Sequence, residues 1–150
     1  MNDVIYRVAE ISDIDQILKI GNLLSDFELS DNEHSFWSEE TLKNCINDPS
    51  SGIIACAMLD DKLAGFAIVQ YNIVFSTATI DQLFILPKYR NLGIGKKLYN
   101  LILDNAKSNQ IAELSMNVEF GNKSVIDFFE YNGFDKTMNT VNLKLNIKLF

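Results

Sequence analysis

Leu83-Phe84-Ile85-Leu86-Pro87-Lys88-Tyr89-Arg90-Asn91-Leu92-Gly93-Ile94-Gly95-Lys96 is the stretch on which the reading of this chain turns. An apolar run of the kind a buried strand carries meets Pro87, and an R-x-x-G-x-G turn then opens a helix. Two glycines let backbone come close to a bound group with no side chain in the way. The free N–H groups of a helix's first turn, at the positive end of its dipole, favour an anion such as a pyrophosphate. A glycine pair near a helix start is common in proteins, so the weight lies in the context, strand before and amphipathic helix after. From Gly93 to about Lys107 that helix carries Ile94, Leu98, Leu101, Ile102 and Ala106 on one face. Lys96 and Lys97 stand at its start, where lysine opposes the dipole, and a nearby phosphate would relieve the conflict.

Working outward, Ala78–Leu86 is the strand that feeds the turn. Before it, Gly52–Leu59 and Leu63–Tyr71 read as two strands joined at Asp60-Asp61-Lys62, a hairpin signature. Nearer the start, Val4 to Val8 alternates as a strand. Ser12-Asp13-Ile14-Asp15 reads as a capping box with Asp in place of Glu, followed by Ile14, Ile17, Leu18 and Leu24 at helical spacing. Gly21 is expected to weaken that helix near its end, and Phe27 to Phe36 to form an acidic loop or short helix. Ser38 caps a second helix, with Trp37 and Leu42 spaced as a hydrophobic staple. Asn47-Asp48-Pro49 stops it. Beyond the glycine turn come a strand at Ile111–Val118, a helix from Gly121 or Asn122 ended by Asn132-Gly133, and an alternating tail, Thr140–Phe150, read as one long strand. The order β-α-α-β-β-β-α-β-α-β predicts an α/β (α+β) fold: a mixed, mostly antiparallel sheet of about six or seven strands with helices on its faces.

Composition bounds the function. The chain has 150 residues, 47% hydrophobic and 22% charged, which suits one domain over 1–150 with a proper core. Its apolar runs fall short of the ~18 residues that a membrane helix needs. The opening Met1-Asn2-Asp3-Val4 lacks a secretion signal's basic and apolar segments, so a cytoplasmic protein is expected. Cys45 and Cys56 are too few and too far apart for a metal site or a disulfide framework and read as reduced core cysteines. The net charge of −7 argues against broad nucleic-acid binding. It suits a cationic substrate, and solubility accounts for it equally well.

Element order and motifs together resemble the GNAT superfamily of acetyl-coenzyme A-dependent N-acetyltransferases. Leu83–Lys107 is similar to that family's acetyl-CoA motif, with Pro87, Tyr89, Arg90, Gly93 and Gly95 in place. Asn122-Lys123-Ser124-Val125-Ile126-Asp127-Phe128-Phe129-Glu130-Tyr131-Asn132-Gly133-Phe134 is similar to its second conserved block. A Rossmann unit fits poorly, because no βαβ unit opens the chain and no G-x-G-x-x-G is present. The resemblance implies that the amides of Arg90, Asn91, Leu92, Gly93, Ile94, Gly95 and Lys96 hold the pyrophosphate. Leu83, Phe84 and Ile85 would pair with the pantetheine arm as an added strand does. One of their amides would face the thioester oxygen. Asn122 would reach the cofactor from the other side, and the strands at Ile85 and Met116 would splay to admit it. Acetyl-CoA is the implied cosubstrate, with no metal.

The acid and base are less evident. Many members carry a tyrosine general acid at the position of Phe129, which has no proton to give, and Tyr131 lies about 200° further around the helix. Members that acetylate protein N-termini often have a glutamate where this chain has Asn117. Asp81 is therefore the leading candidate for substrate contact or base, since aspartate is disfavoured amid Ile80, Leu83 and Ile85 in a strand. Polyamine-acetylating relatives have a glutamate there. The plain alternative is a solvent-facing residue. Glu119 and Tyr131 are further catalytic candidates, against plainer readings as an exposed turn glutamate and a helix-end packing residue. Acidic Glu28, Asp31 and Glu33, and the lone His34, lie where a substrate mouth is expected. The acceptor is expected to be a small cationic amine or a peptide. Two alternatives stand beside it: acetylation of a protein N-terminus or lysine, and a non-catalytic acyl-CoA-binding sensor. A homodimer is common for such sheets, and the sequence does not determine it.

Overall fold

A computed structural model describes residues 3–28, 36–117, 123–136 and 142–147. Its elements are β1 (Ile5–Val8), α1 (Ile14–Glu28), α2 (Glu39–Asn47), β2 (Gly52–Leu59), β3 (Lys62–Asn72), β4 (Thr77–Ile85), α3 (Ile94–Ser108), β5 (Glu113–Asn117), α4 (Lys123–Tyr131), β6 (Asp135–Lys136) and β7 (Asn142–Asn146). The strands form one sheet in the order β1-β2-β3-β4-β5-β7-β6. Every described pairing is antiparallel except β4 with β5. The expected mixed, mostly antiparallel sheet is what forms.

β2 and β3 are apolar along nearly their whole length because both faces of the sheet are covered. Ile54, Cys56, Phe66 and Ile68 meet Ile14 and Ile17 of α1 and Leu42 of α2. Ile53, Ala55, Ala67, Val69 and Ile80 meet Leu98, Ile102 and Ala106 of α3 on the other face. Each large side chain so buried contributes roughly 1.5–3 kcal/mol. Trp37 packs into the same cluster as Leu42, as the staple reading requires. The Ser38 hydroxyl accepts from Thr41 N–H at 3.1 Å.

Four local expectations are corrected. The first helical turn starts earlier than Ser12. A single 3-10 turn spans Ile11–Asp13, because the Asp13 carboxylate accepts from Glu10 N–H at 2.7 Å while Arg7 grips it in two bonds of 2.6 and 3.0 Å. Gly21 does not end α1. The Phe36 ring lies where its Cβ would be, 2.3 Å away, so the glycine is a packing requirement and the helix runs on to Glu28. In the tail, β7 covers Asn142–Asn146 and ends before Ile147, while residues 140, 141 and 148–150 lie outside the described ones; the two-residue β6 pairs with β7 on its other edge. The Tyr131 side chain packs against nothing substantial, being 88% exposed.

Asp13 is 4% exposed and makes its ion pair inside the α1/α2 side of the fold. Asp13→Ala is expected to cost about 2–3 kcal/mol, because it leaves Arg7 uncompensated. The Arg7 hydrogen bond holds this carboxyl below the ordinary 3.8. Its stabilising contribution is therefore complete at neutral pH and fades as pH falls through the ordinary aspartate range and below it. Thermal unfolding at pH 7 and pH 3 reads this out, and a variant as stable as the parent at pH 7 would remove the pair from the account.

Tyr99, on the opposite face, sits among the rings of Phe128, Phe129 and Phe134 with centroids 6.0–6.3 Å away. Among the described residues its buried hydroxyl has no hydrogen-bond partner, and burial pushes its pKa up to about 12.

Candidate active site

One irregularity in the sheet creates the site. The β3–β4 register steps from Ile68↔Gln82 to Val69↔Ile80, which leaves Asp81 as the extra residue of a β-bulge. Bulges bend the strand and sharpen its twist. On the other side of β4, the parallel ladder with β5 runs from Thr77↔Glu113 to Ile80↔Met116 and stops. The next rung, Asp81 opposite Asn117, is not formed. The expected splay is present, and it begins at Met116. Beyond the fork lies a cleft of about 520 Å³, walled by Leu83 and Ile85 of β4, Met116 of β5, Val125 and Phe128 of α4, and Gly95 of α3.

The glycine turn stands at one end of β4. Pro87–Tyr89 forms a single 3-10 turn, and Arg90 folds back so that its Nε donates to the Ile85 carbonyl at 2.9 Å. The guanidinium also lies 5.4 Å from the centre of the Phe84 ring. Arg90 thus fastens the turn to the strand it leaves. Asn91 and Gly93 both take left-handed backbone, φ +64° and +82°. That turns the chain into α3 with the first-turn amides open. Lys97 N–H is the first to find an acceptor, Gly93 O at 3.3 Å. Among the described residues nothing accepts from Ile94, Gly95 or Lys96 N–H. A Cβ added at Gly95 would meet no protein atom nearer than Ile85 Cγ1 at 4.0 Å, so the space above it is free for a ligand. Lys88, Arg90, Lys96 and Lys97, four of the chain's 13 basic residues, fall within the turn and the first turn of α3, which concentrates positive charge there in an acidic protein. Open amides, free space and positive charge fit the phosphates of a coenzyme A thioester.

Both lysines find contacts within the protein. Lys96 Nζ donates to Asn132 Oδ1, and Asn132 Nδ2 donates to Phe128 O at 2.7 Å, which ties the start of α3 to the end of α4. Lys97 lies 5.5 Å from the Tyr6 ring centre. No sequence signal announces the Lys96–Asn132 link, which joins positions 36 apart.

Asp81 stands at the fork. It is exposed as a residue, yet the protein around its carboxyl raises the pKa by desolvation, opposed by a hydrogen bond from the Gln70 side chain. Phe129 is 1% exposed and lies against the cleft, with no polar atom to offer it. Tyr131 is not brought to the cleft. Glu119 and Asn122 lie outside the described residues, as do Asp31, Glu33, His34 and the side chain of Glu28. Gln70 was not anticipated; its only signal is a polar residue closing the apolar run of β3.

The family model for the acetyltransferase (GNAT) family matches residues 17–134, which include both walls of the cleft and the glycine turn. The chain belongs to this family. It is an acetyl-CoA-dependent N-acetyltransferase. It is 26% identical over 121 residues to the ribosomal protein bS18-alanine N-acetyltransferase of Salmonella typhimurium, covering 80% of this chain and 79% of that protein. The Thermoplasma acidophilum PaiA N-acetyltransferase, solved in complex with coenzyme A, superposes with a TM-score of 0.81 at 20% identity, over 97% of this chain and all of that one. The ribosomal-protein-S18-alanine N-acetyltransferase of Escherichia coli does so with 0.75 at 20% identity, over 99% and 96%. These two likenesses are of fold.

Proposed function

We propose that this enzyme moves the acetyl group of acetyl-CoA directly to a primary amine of a small cationic molecule or a peptide. The observation that carries this reading is the fork between β4 and β5, with open helix amides at one end and a carboxylate at the other. The amides of Asn91 through Lys96 hold the pyrophosphate, and Leu83, Phe84 and Ile85 pair with the pantetheine arm. A β4 amide donates to the oxygen of the tetrahedral centre. Asn122 is a further contact to the cosubstrate.

An alkyl ammonium has a pKa near ~10, so a proton must leave before the nitrogen can attack. Asp81 faces the amine and takes that proton, directly or through an ordered water. The nitrogen then bonds to the acetyl carbon, its surplus proton passes to water, the carbon–sulfur bond breaks, and the thiolate departs without a dedicated acid at Phe129. Glu119 is a second, weaker base candidate, and Tyr131 is too far into solvent to act. Alignment of thioester and amine supplies most of the rate, an effect worth up to ~7–11 kcal/mol.

Acetylation of a protein N-terminus is the second reading. Its support is the relatives named for a ribosomal alanine, similar over four-fifths of the chain. The test is a thiol-release screen with acetyl-CoA over polyamines, amino acids, aminoglycosides and short peptides. Release with at least one acceptor is expected. Tight coenzyme A binding with no release on any amine would leave the acyl-CoA sensor and remove this proposal.

A further inference from the structure

A second groove of about 520 Å³ lies on the α1/α2 face of the sheet and shares Gln70 with the Asp81 site. One wall is the stripe Trp37, Thr41, Asn44, Cys45 and Asp48, which successive turns of α2 and its caps bring into line. The stripe spans eleven residue steps, about 16 Å at helical rise. That length accommodates roughly five residues of extended chain.

We propose that this groove binds the backbone of a peptide acceptor beyond its reactive amine, with Gln70 marking where the groove meets the reaction site. This rests on the acetyl-transfer reading and names the acceptor class within it. The chemistry of the lining selects the occupant. Asn44, Asn47 and Gln70 offer amide donors and acceptors, the complement of peptide N–H and C=O groups, and Trp37 offers an aromatic face. Among the described residues no group engages the Asn44 or Asn47 side-chain amide. A polyamine would need carboxylates at intervals. The groove holds one, Asp48, whose Oδ1 already accepts from Ser50 N at 3.1 Å and Ser50 Oγ at 2.6 Å.

The groove carries its own reporters. Trp37 is the sole tryptophan, and of the two cysteines Cys45 lies in the groove while Cys56 is fully buried. Burial raises the Cys45 pKa, so alkylation is followed at alkaline pH, with Trp37 fluorescence alongside. In the presence of coenzyme A, a pentapeptide with a free amino terminus is expected to slow Cys45 alkylation at least fivefold, and an amino-acid amide is not. In the thiol-release assay, the pentapeptide's KM is expected to lie at least tenfold below that of the amino-acid amide, and N44A/N47A to erase this advantage. Both asparagines are exposed on α2, where alanine is the better helix former, so the fold should hold. Equal KM values with no protection of Cys45 would overturn the groove and leave acetyl transfer standing. So would a peptide advantage that survives the double substitution. Protection of Cys45 with no thiol release from any amine would uphold the groove and overturn acetyl transfer. Neither protection nor release would overturn both.

Discussion

Gly95→Leu is expected to lower coenzyme A affinity by at least ~100-fold, close to 3 kcal/mol, with little change in thermal stability. Gly95 lies in the first turn of α3, in ordinary helical backbone, and nothing of the protein stands within 4.0 Å of the Cβ it lacks. A leucine there strains no dihedral and gains helix propensity. Its side chain fills the space from which a pyrophosphate would accept the Gly95 and Lys96 amides. Gly93 is the poorer position for this test, since its φ of +82° would make any side chain costly to the fold itself. Calorimetric titration with coenzyme A, beside a melting curve, separates the two effects. Unchanged affinity in a folded variant would mean that no phosphate approaches this backbone.

Asp81→Asn is expected to lower kcat/KM for the acceptor by about 10²–10³ at neutral pH, within the usual range for a general base. The pH profile gives the sharper test. Desolvation raises this carboxyl above the ordinary 3.8. The parent's rate should therefore climb with pH through that raised value as the base becomes free, and the variant should lack this limb. Stability has the opposite sign. A carboxyl whose folded pKa is raised favours folding when protonated, and that contribution is lost as pH rises through the folded value. At neutral pH the charged group is a burden, and asparagine lifts it, so the melting temperature should hold or rise. Activity lost together with a lowered melting temperature would mark Asp81 as a structural residue.

Where the sequence was legible, the physics is local. Strand, proline, glycine turn and amphipathic helix are written in neighbouring residues, and so is the Ser38 cap. Where it misled, a distant partner had intervened. Asp13 caps earlier than Ser12 suggested because Arg7, on a strand, claims its carboxylate. Gly21 reads as a weak point near the end of α1 and serves as a seat for Phe36 within it. Lys96, legible in sequence only as a lysine opposing the helix dipole, donates to Asn132 at the end of another helix. Tyr131, weighed as packing residue or acid, is turned to solvent.

By itself, the sequence determined the mostly antiparallel sheet, its covering helices and the bare backbone at the head of α3. Those follow from hydrophobic period, glycine freedom and the four amides that any helix start leaves unpaired. Tertiary structure alone decided that β4 bulges at Asp81, that β4 and β5 part after Met116, and that Gln70 joins the fork to a groove along α2. Each of these sets side by side residues far apart in the chain, and no spacing along a single segment encodes which strand will pair with which, or where the pairing stops.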